Sequence, residues 1–457
     1  MISEGRLRIL PVVLRRLDSH RAIYAIVGFG LILRIVPLAM VGGGFLEHEN
    51  PSYYEMALQL LRGERFSPYW PPGVPYYLLL AHKIFGDGLL VARASMLLAY
   101  VGFSFALYAL AKEVSSRRAG NLASLLFALY PTYVRYAFNP STEYPTAACL
   151  VAAVYLAIRS IRKPSYPLSA ALGLALGSLA LIRASSLLLV VVAPLYLYLR
   201  TRRWGISLTS LVVSLVLISA WLWKAYNMTG RFVMVNDANT QNFFLGNNYF
   251  TPLYNTCPDG PVKWDAPAEF TRVIEKLRDD PPEVQNRIYR ASAVRYILSR
   301  PDLFLLRTFN RFRMYFSFPI AQGEPLTKGV HLENMHAWVG VAITVFQLCF
   351  YWPIMLLAII FLFNSKGADY VPSIGGAAIL YAVPYWITFS QPRFNFPVVP
   401  LFAVLAVALL DSLENSGHDA LGPVLQSPRR RHAMFFSLAF FTYTQMEWIL
   451  FVLSSKV

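Results

Sequence analysis

The feature that most constrains this chain is a series of apolar stretches, eleven in all, most of them long enough to cross a lipid bilayer as helices. About 20 helical residues rise roughly 30 Å, the thickness of the hydrocarbon layer. A segment crossing that layer must satisfy its own backbone hydrogen bonds, so open strands are excluded. The stretches fall at 22–41, 89–111, 119–136, 144–161, 167–181, 185–199, 205–223, 337–363, 371–389, 398–410 and 433–453. The expectation is an all-α polytopic membrane protein of about eleven spans, within nine to thirteen. Composition agrees: 56% of the 457 residues are hydrophobic and 14% charged, against about 25% charged in soluble proteins. The first stretch is too long for the apolar region of a signal peptide, and no small-residue cleavage site closes it, so it reads as a retained span.

The chain carries 41 Lys and Arg against 25 Asp and Glu, a net charge of +16. In a soluble protein that excess would suggest nucleic acid. Here it reads as topology, because the basic residues gather in alternate short connections. These are the N-terminal arginines, Lys112 with Arg117 and Arg118, Arg159 with Arg162 and Lys163, Arg200 with Arg202 and Arg203, Lys366, and Arg429 to Arg431. The positive-inside rule places that side, with the N-terminus, in the cytoplasm of a plasma-membrane protein. Outside then lie a first loop at 42–88 with interfacial helices, one of them at 73–85, a long loop at 224–335, and the turns around Glu143, Arg183 and 390–397. In the long loop, 282–318 reads as helix broken at Pro301, its apolar face fringed with arginines as in a headgroup-level helix. The region to residue 410 forms one transmembrane unit, 411–432 a cytoplasmic linker and 433–457 a last span in which Gln445 and Glu447 are unexpected. They contact another span, or that window does not fully cross.

The outward turns hold the candidate chemistry. Glu49, just after the first span in Glu47-His48-Glu49-Asn50, could take a proton from a hydroxyl at the membrane face; alternatively it is an ordinary first-turn residue. Glu143 opens the fourth span, where a carboxylate is costly unless it faces a polar cavity; the alternative is helix capping with Ser141 or Thr142. Arg183 and Arg393 stand at outer span ends, where guanidinium groups either bind phosphate or anchor the helix at the surface, and Arg93 is placed similarly. Arg34 lies inside the first span and calls for a structural partner. His48, His331 and His336 show no metal-ligand spacing; no cofactor is required, and room for a divalent metal is left open. Cys149 and Cys349 sit in apolar windows and Cys257 stands alone in a loop, so no disulfide framework is expected. No glycine-rich phosphate loop is present, which leaves no sign of a cytosolic nucleotide site.

Taken in order, these residues resemble the membrane glycosyltransferases of the GT-C fold, in the group of dolichyl-phosphate-mannose protein mannosyltransferases and lipid A aminoarabinose transferases. The resemblance rests on Glu49, Tyr53, Ala57 and Gly63; on Trp70-Pro71-Pro72-Gly73 with Phe85-Gly86 and Ala92-Arg93; on Glu143 and Leu181-Ile182-Arg183; on Phe244-Leu245-Gly246-Asn247-Asn248; and on Arg393-Phe394-Asn395-Phe396-Pro397-Val398-Val399-Pro400. It implies a GT-C-like bundle and inverting transfer of a hexose or pentose from a polyprenyl-phosphate sugar to a lipid, glycan or protein acceptor. Glu49 would be the general base with Glu143 as second acid, and Tyr53, Arg93, Arg183, Arg393 and Asn247 would bind substrate. Glu49 stands where the family usually has Asp, with Glu47 as a substitute base, and Trp70 stands where many relatives carry Lys or Arg. No WWDYG segment marks the long loop, unlike oligosaccharyltransferases. Competing expectations are a lipid-linked polysaccharide polymerase or ligase, and a lipid or solute transporter.

Overall fold

The computed structural model describes residues 17–41, 51–64, 67–138, 140–253, 267–318, 337–365 and 368–454. These are helical throughout, with no strand among the described residues. The membrane-type helices are α1 (Ala22–Val41), α4 (Leu89–Val114), α5 (Arg117–Leu129), α7 (Glu143–Arg162), α8 (Tyr166–Ile182), α9 (Leu187–Thr201), α10 (Trp204–Thr229), α15 (Ala337–Asn364), α16 (Val371–Ile387), α17 (Val399–Ser416) and α18 (Pro428–Ser454). Between them come α2 (Pro51–Leu61) and α3 (Gly73–Phe85), the short α6 (Pro131–Arg135), and α11 (Ala238–Gly246), α12 (Ala268–Leu277), α13 (Pro282–Ser299) and α14 (Pro301–Tyr315). Each expected span is met by a helix, the third only in part; among the described residues six helices are long and apolar enough to cross a membrane and three more are shorter and apolar.

Small residues set the packing that positions the site. In α8, a Cβ on Gly173 would come within 2.5 Å of the Ser210 carbonyl, and one on Gly177 within 3.1 Å of the Ser214 carbonyl. The Ser214 hydroxyl donates to the Gly173 carbonyl at 3.0 Å. Such small-residue seams replace the hydrophobic drive that lipid removes. Gly73 opens α3 against the end of α8, where a Cβ would lie 2.8 Å from the Ile182 amide nitrogen. That contact brings the Trp70–Pro72 segment next to Arg183.

The third span departs from the expected 119–136 helix. Thirteen residues of α5 rise only about 20 Å. Tyr130 then turns extended, as a residue before proline prefers, and α6 follows. Pro131 has no N–H for the Phe127 carbonyl. Arg34 of α1 supplies the donors instead: it bonds to the carbonyls of Phe127 (3.0 Å) and Ala128 (3.1 Å), to its own-helix Gly30 carbonyl (2.8 Å) and to the Tyr144 hydroxyl (3.1 Å). The guanidinium also sits 3.8 Å over the Tyr100 ring. Arg34→Leu orphans two carbonyls at roughly 1–3 kcal/mol each, partly offset by the desolvation of arginine itself. The net expected loss, about 2 kcal/mol, should show as a lower unfolding temperature in detergent.

Gln445 and Glu447 have a similar explanation. The Gln445 amide accepts from the Phe318 amide at 3.1 Å and donates to the Phe316 carbonyl at 3.0 Å, Trp448 donates to the Phe318 carbonyl at 3.1 Å, and Glu447 pairs with Arg313. They hold the end of α14 and the chain just beyond it. The basic connections meet at one end of the bundle: Glu113 pairs with Arg159 (3.0 Å) and Arg162 (2.9 Å), Arg162 with Asp369 (2.9 Å) and Arg118 with Glu414, while Arg117 reaches the Asp18 carbonyl at 3.2 Å. Glu143 and Arg183 stand at the opposite ends of their helices.

Candidate active site

Because α7 and α8 run antiparallel through a short turn at the basic end, the first residue of α7 meets the residue that follows α8. Arg183 bonds to the Glu143 carboxylate at 3.0 Å and to the Thr142 hydroxyl at 2.9 and 2.6 Å. Its remaining nitrogen donates to the Tyr385 hydroxyl at 3.2 Å, which also receives the Ser185 hydroxyl at 2.9 Å. Both charges are largely buried, with side chains 7% exposed for Glu143 and 11% for Arg183. Glu143 is therefore an ion-pair partner, and Thr142, at the cap position, makes no side-chain cap bond.

An aromatic wall backs the pair. The Phe394 ring lies 5.6 Å from the Arg183 guanidinium and stacks on Tyr385 at 4.7 Å; Tyr385 stacks in turn on Tyr315 at 5.8 Å. Asn395 fixes the turn that carries Phe394 by donating to the carbonyls of Tyr315 (2.8 Å) and Ser317 (3.1 Å). Beside it Arg393 is exposed, 5.4 Å from the Phe394 ring, with no acidic partner among the described residues. Tyr53 of α2 closes another side. It is buried, and its hydroxyl lies within the electrostatic reach of Arg183, Glu143, Arg393 and Tyr385. Burial pushes that hydroxyl well above the ordinary tyrosine range, against the pull of the two arginines, so it remains a neutral hydrogen-bond donor.

Four of the expected site residues thus come together: Tyr53, Glu143, Arg183 and Arg393. Glu49 lies outside the described residues, as do Glu47, His48, His331, His336 and Cys257. Arg93 is buried in the first turn of α4, one residue from the cluster of Tyr53, Ala92 and Ile182, with its Nε unpartnered. Asn247 donates to the carbonyls of Phe243 and Ile387, both at 2.9 Å, and accepts from Arg311 at 3.3 Å, tying the section after α10 to the end of α16. Trp70 packs on Tyr53 and Tyr69 with centroids at 6.1 and 5.0 Å. Tyr385, Tyr381 and Ser185 join the cluster without having been singled out in the sequence. A tyrosine pair four apart on a spanning helix was the available signal. Among the described residues no three His, Cys, Asp or Glu side chains gather as a metal site.

Chemically, the cluster offers a fixed guanidinium, an exposed one with no acidic partner among the described residues, an apolar ring face suited to a sugar, and several hydroxyl groups, all where the spanning helices end. That combination suits a phosphate-bearing amphiphile.

Residues 70–223 match the family model of dolichyl-phosphate-mannose-protein mannosyltransferase. No curated protein matches the sequence. The fold is similar to the apo oligosaccharyltransferase of Archaeoglobus fulgidus, with a TM-score of 0.50 at 16% identity over 93% of this chain and 55% of that one. The same archaeal enzyme in complex with Zn and sulfate gives 0.49 at 13% identity, over 93% and 53%. ArnT from Cupriavidus metallidurans bound to undecaprenyl phosphate gives 0.41 at 15%, over 88% and 78%. The chain spans little more than half the length of the archaeal structures. Residues 70–223, which include Arg93, Glu143 and Arg183, therefore carry the sequence pattern of the dolichyl-phosphate-mannose-protein mannosyltransferases, on a chain with the fold of the GT-C membrane glycosyltransferases.

Proposed function

We propose that this chain transfers a sugar from a polyprenyl-phosphate-linked donor to an acceptor hydroxyl or amine, at the end of the bundle opposite the basic turns, with inversion at the anomeric carbon. One observation carries the reading: a largely buried Arg183 held by Glu143, Thr142 and Tyr385 beside an exposed Arg393 with no acidic partner among the described residues, on an aromatic floor at the helix ends. The family match supports a phosphate-linked lipid donor. The basic turns at the other end support an outward-facing site at the plasma membrane, by the positive-inside rule. Residues 1–410 would form the catalytic unit, followed by the 411–432 linker and a last span.

In this reading the donor phosphate lies between Arg183 and Arg393, and the sugar packs on Phe394 and Tyr385. Glu49 takes the proton of the acceptor group. The acceptor atom bonds to the anomeric carbon as the bond from that carbon to the phosphate oxygen breaks. Polyprenyl phosphate leaves with added negative charge, which fixed arginines stabilise more in the transition state than in the donor. Purified protein given labelled polyprenyl-phosphate sugars should transfer label to acceptor. No transfer from any hexose, pentose or aminosugar donor to lipid, glycan or peptide acceptors overturns the proposal. Because Arg393 is exposed and has no acidic partner among the described residues, Arg393→Gln should leave the unfolding temperature unchanged and raise the donor KM by about 10–100-fold, the worth of one charge-assisted hydrogen bond. An unchanged KM would remove Arg393 from the phosphate site.

A further inference from the structure

A cavity of about 120 Å³ lies between α7, α8, α9 and α16, running from the level of Ser373 to that of Leu380, next in sequence to Tyr381 of the Arg183 cluster. Its walls are apolar, with Leu150, Val154, Leu176, Leu189, Gly376 and Leu380 among them. Two lining residues break that pattern. Tyr196 of α9 and Ser373 of α16 both carry buried hydroxyl oxygens with no hydrogen-bond partner among the described residues, and Ser373 is 8% exposed. A buried hydroxyl left unpaired costs about 1–3 kcal/mol, so two facing one cavity point to an oxygen-bearing occupant.

Their level in the bundle says which kind. α9 runs towards the basic end and α16 away from it, so Tyr196 and Ser373 both lie at the end of the cavity remote from Arg183. Arg200 follows Tyr196 by one helical turn on the same face, is exposed, and has no acidic partner within ion-pair distance among the described residues. Nearby Asp369 is engaged by Arg162 at 2.9 Å; Arg162 chiefly, and Arg200 to a lesser degree, hold its carboxyl below the ordinary range. Also at this end stand Glu113, paired with Arg159 and Arg162; Arg118, paired with Glu414; Arg117; and Lys163, Arg202 and Arg203. Pro372 at the same level both lines the cavity and is exposed. Going inward, the order is cation, hydroxyl pair, apolar channel. A glycerophospholipid has the same order: phosphate, glycerol linkage, hydrocarbon chain.

We infer that the α9–α16 cavity is a binding site for an anionic glycerophospholipid entering from the basic end, with its phosphate at Arg200, its glycerol-linkage oxygens accepting from Tyr196 and Ser373, and part of one chain in the channel. This site is separate from the proposed transfer site, and its test does not depend on transfer.

Native mass spectrometry of the full chain, with phosphatidylglycerol, phosphatidylcholine and undecaprenyl phosphate added separately, tests it. The unaltered protein should retain one phosphatidylglycerol at least tenfold more strongly than phosphatidylcholine, and Arg200→Gln should abolish that preference. Gly376→Leu should lower retention of both at least tenfold; a Cβ there meets no atom within 4 Å, so the side chain fills the cavity without a clash at its root. Tyr196→Phe with Ser373→Ala should weaken retention several-fold with almost no change of shape, and decides the matter should Gly376→Leu fail to fold. Retention unchanged in that double variant overturns the inference, a trapped water then being the occupant. Undecaprenyl phosphate proving the lipid that Gly376→Leu displaces overturns it equally, since the channel would then serve the donor tail.

Discussion

Arg183→Gln is expected to lower sugar transfer by about 100-fold or more and to destabilise the fold as well. The loss of rate follows from removing a fixed cation where the leaving phosphate gains charge, a change that costs roughly 10²–10³ in comparable oxyanion sites. The loss of stability follows from Glu143, whose buried carboxylate would be left without its ion-pair partner. Breaking one side of a buried ion pair costs about 3–5 kcal/mol. The two effects separate in the double variant Arg183→Gln, Glu143→Gln. It removes the unpaired carboxylate, so the unfolding temperature should recover most of its loss. Turnover should not recover, because no cation has returned to the phosphate. A double variant that regained full turnover would show Arg183 to be only the partner that Glu143 needs, and donor binding would have to rest on Arg393 alone.

The pairing at the centre of that test shows what the sequence could and could not display. Hydropathy separated the helices, because lipid penalises every charge it meets, and the alternation of basic turns put Glu143 and Arg183 at the same end. Their contact could not be read, since 40 positions separate them and the approach depends on how α7 packs on α8. The small-residue seam that docks α8 on α10 is visible only once Ser210 and Ser214 are known to face Gly173 and Gly177. Tyr385 was hidden for another reason: a tyrosine within an apolar run has the composition of ordinary core. The break at Tyr130–Pro131 was written in the sequence, but hydropathy windows average over a proline, so the span read as continuous. Arg34 was legible as a residue needing a partner. That partner turned out to be the set of carbonyls freed by that same break, together with a tyrosine hydroxyl. Gln445 and Glu447 are alike in this respect, as polar residues in an apolar helix whose reason lies on α14 and just beyond it.

Glu49→Gln carries the other large expected effect, a fall in kcat of about 10²–10⁴-fold, the usual contribution of a positioned general base. Connectivity supports the choice. Glu49 precedes Tyr53 by four residues, no more than about 14 Å of extended chain, and Tyr53 is part of the Arg183 cluster. Glu143 is less suited to the role because its buried carboxylate is already engaged by Arg183 at 3.0 Å and so is not free to meet the acceptor. The donor KM should stay within about threefold in Glu49→Gln, since in this reading Glu49 touches the acceptor and not the phosphate, and an amide of the same size preserves the shape of the site. Glu49→Asp restores the residue usual in the resembling family and should keep at least a tenth of the rate, a difference of about 1.4 kcal/mol. Glu47→Gln is the control: a larger loss there than in Glu49→Gln moves the base two positions along the chain. The acid limb of the kcat profile should disappear in whichever variant lacks the base, because that limb records protonation of the carboxylate that must accept the proton. A limb that survives in both variants would put the base elsewhere, with Glu143, released from Arg183 by the donor phosphate, as the next carboxylate to test.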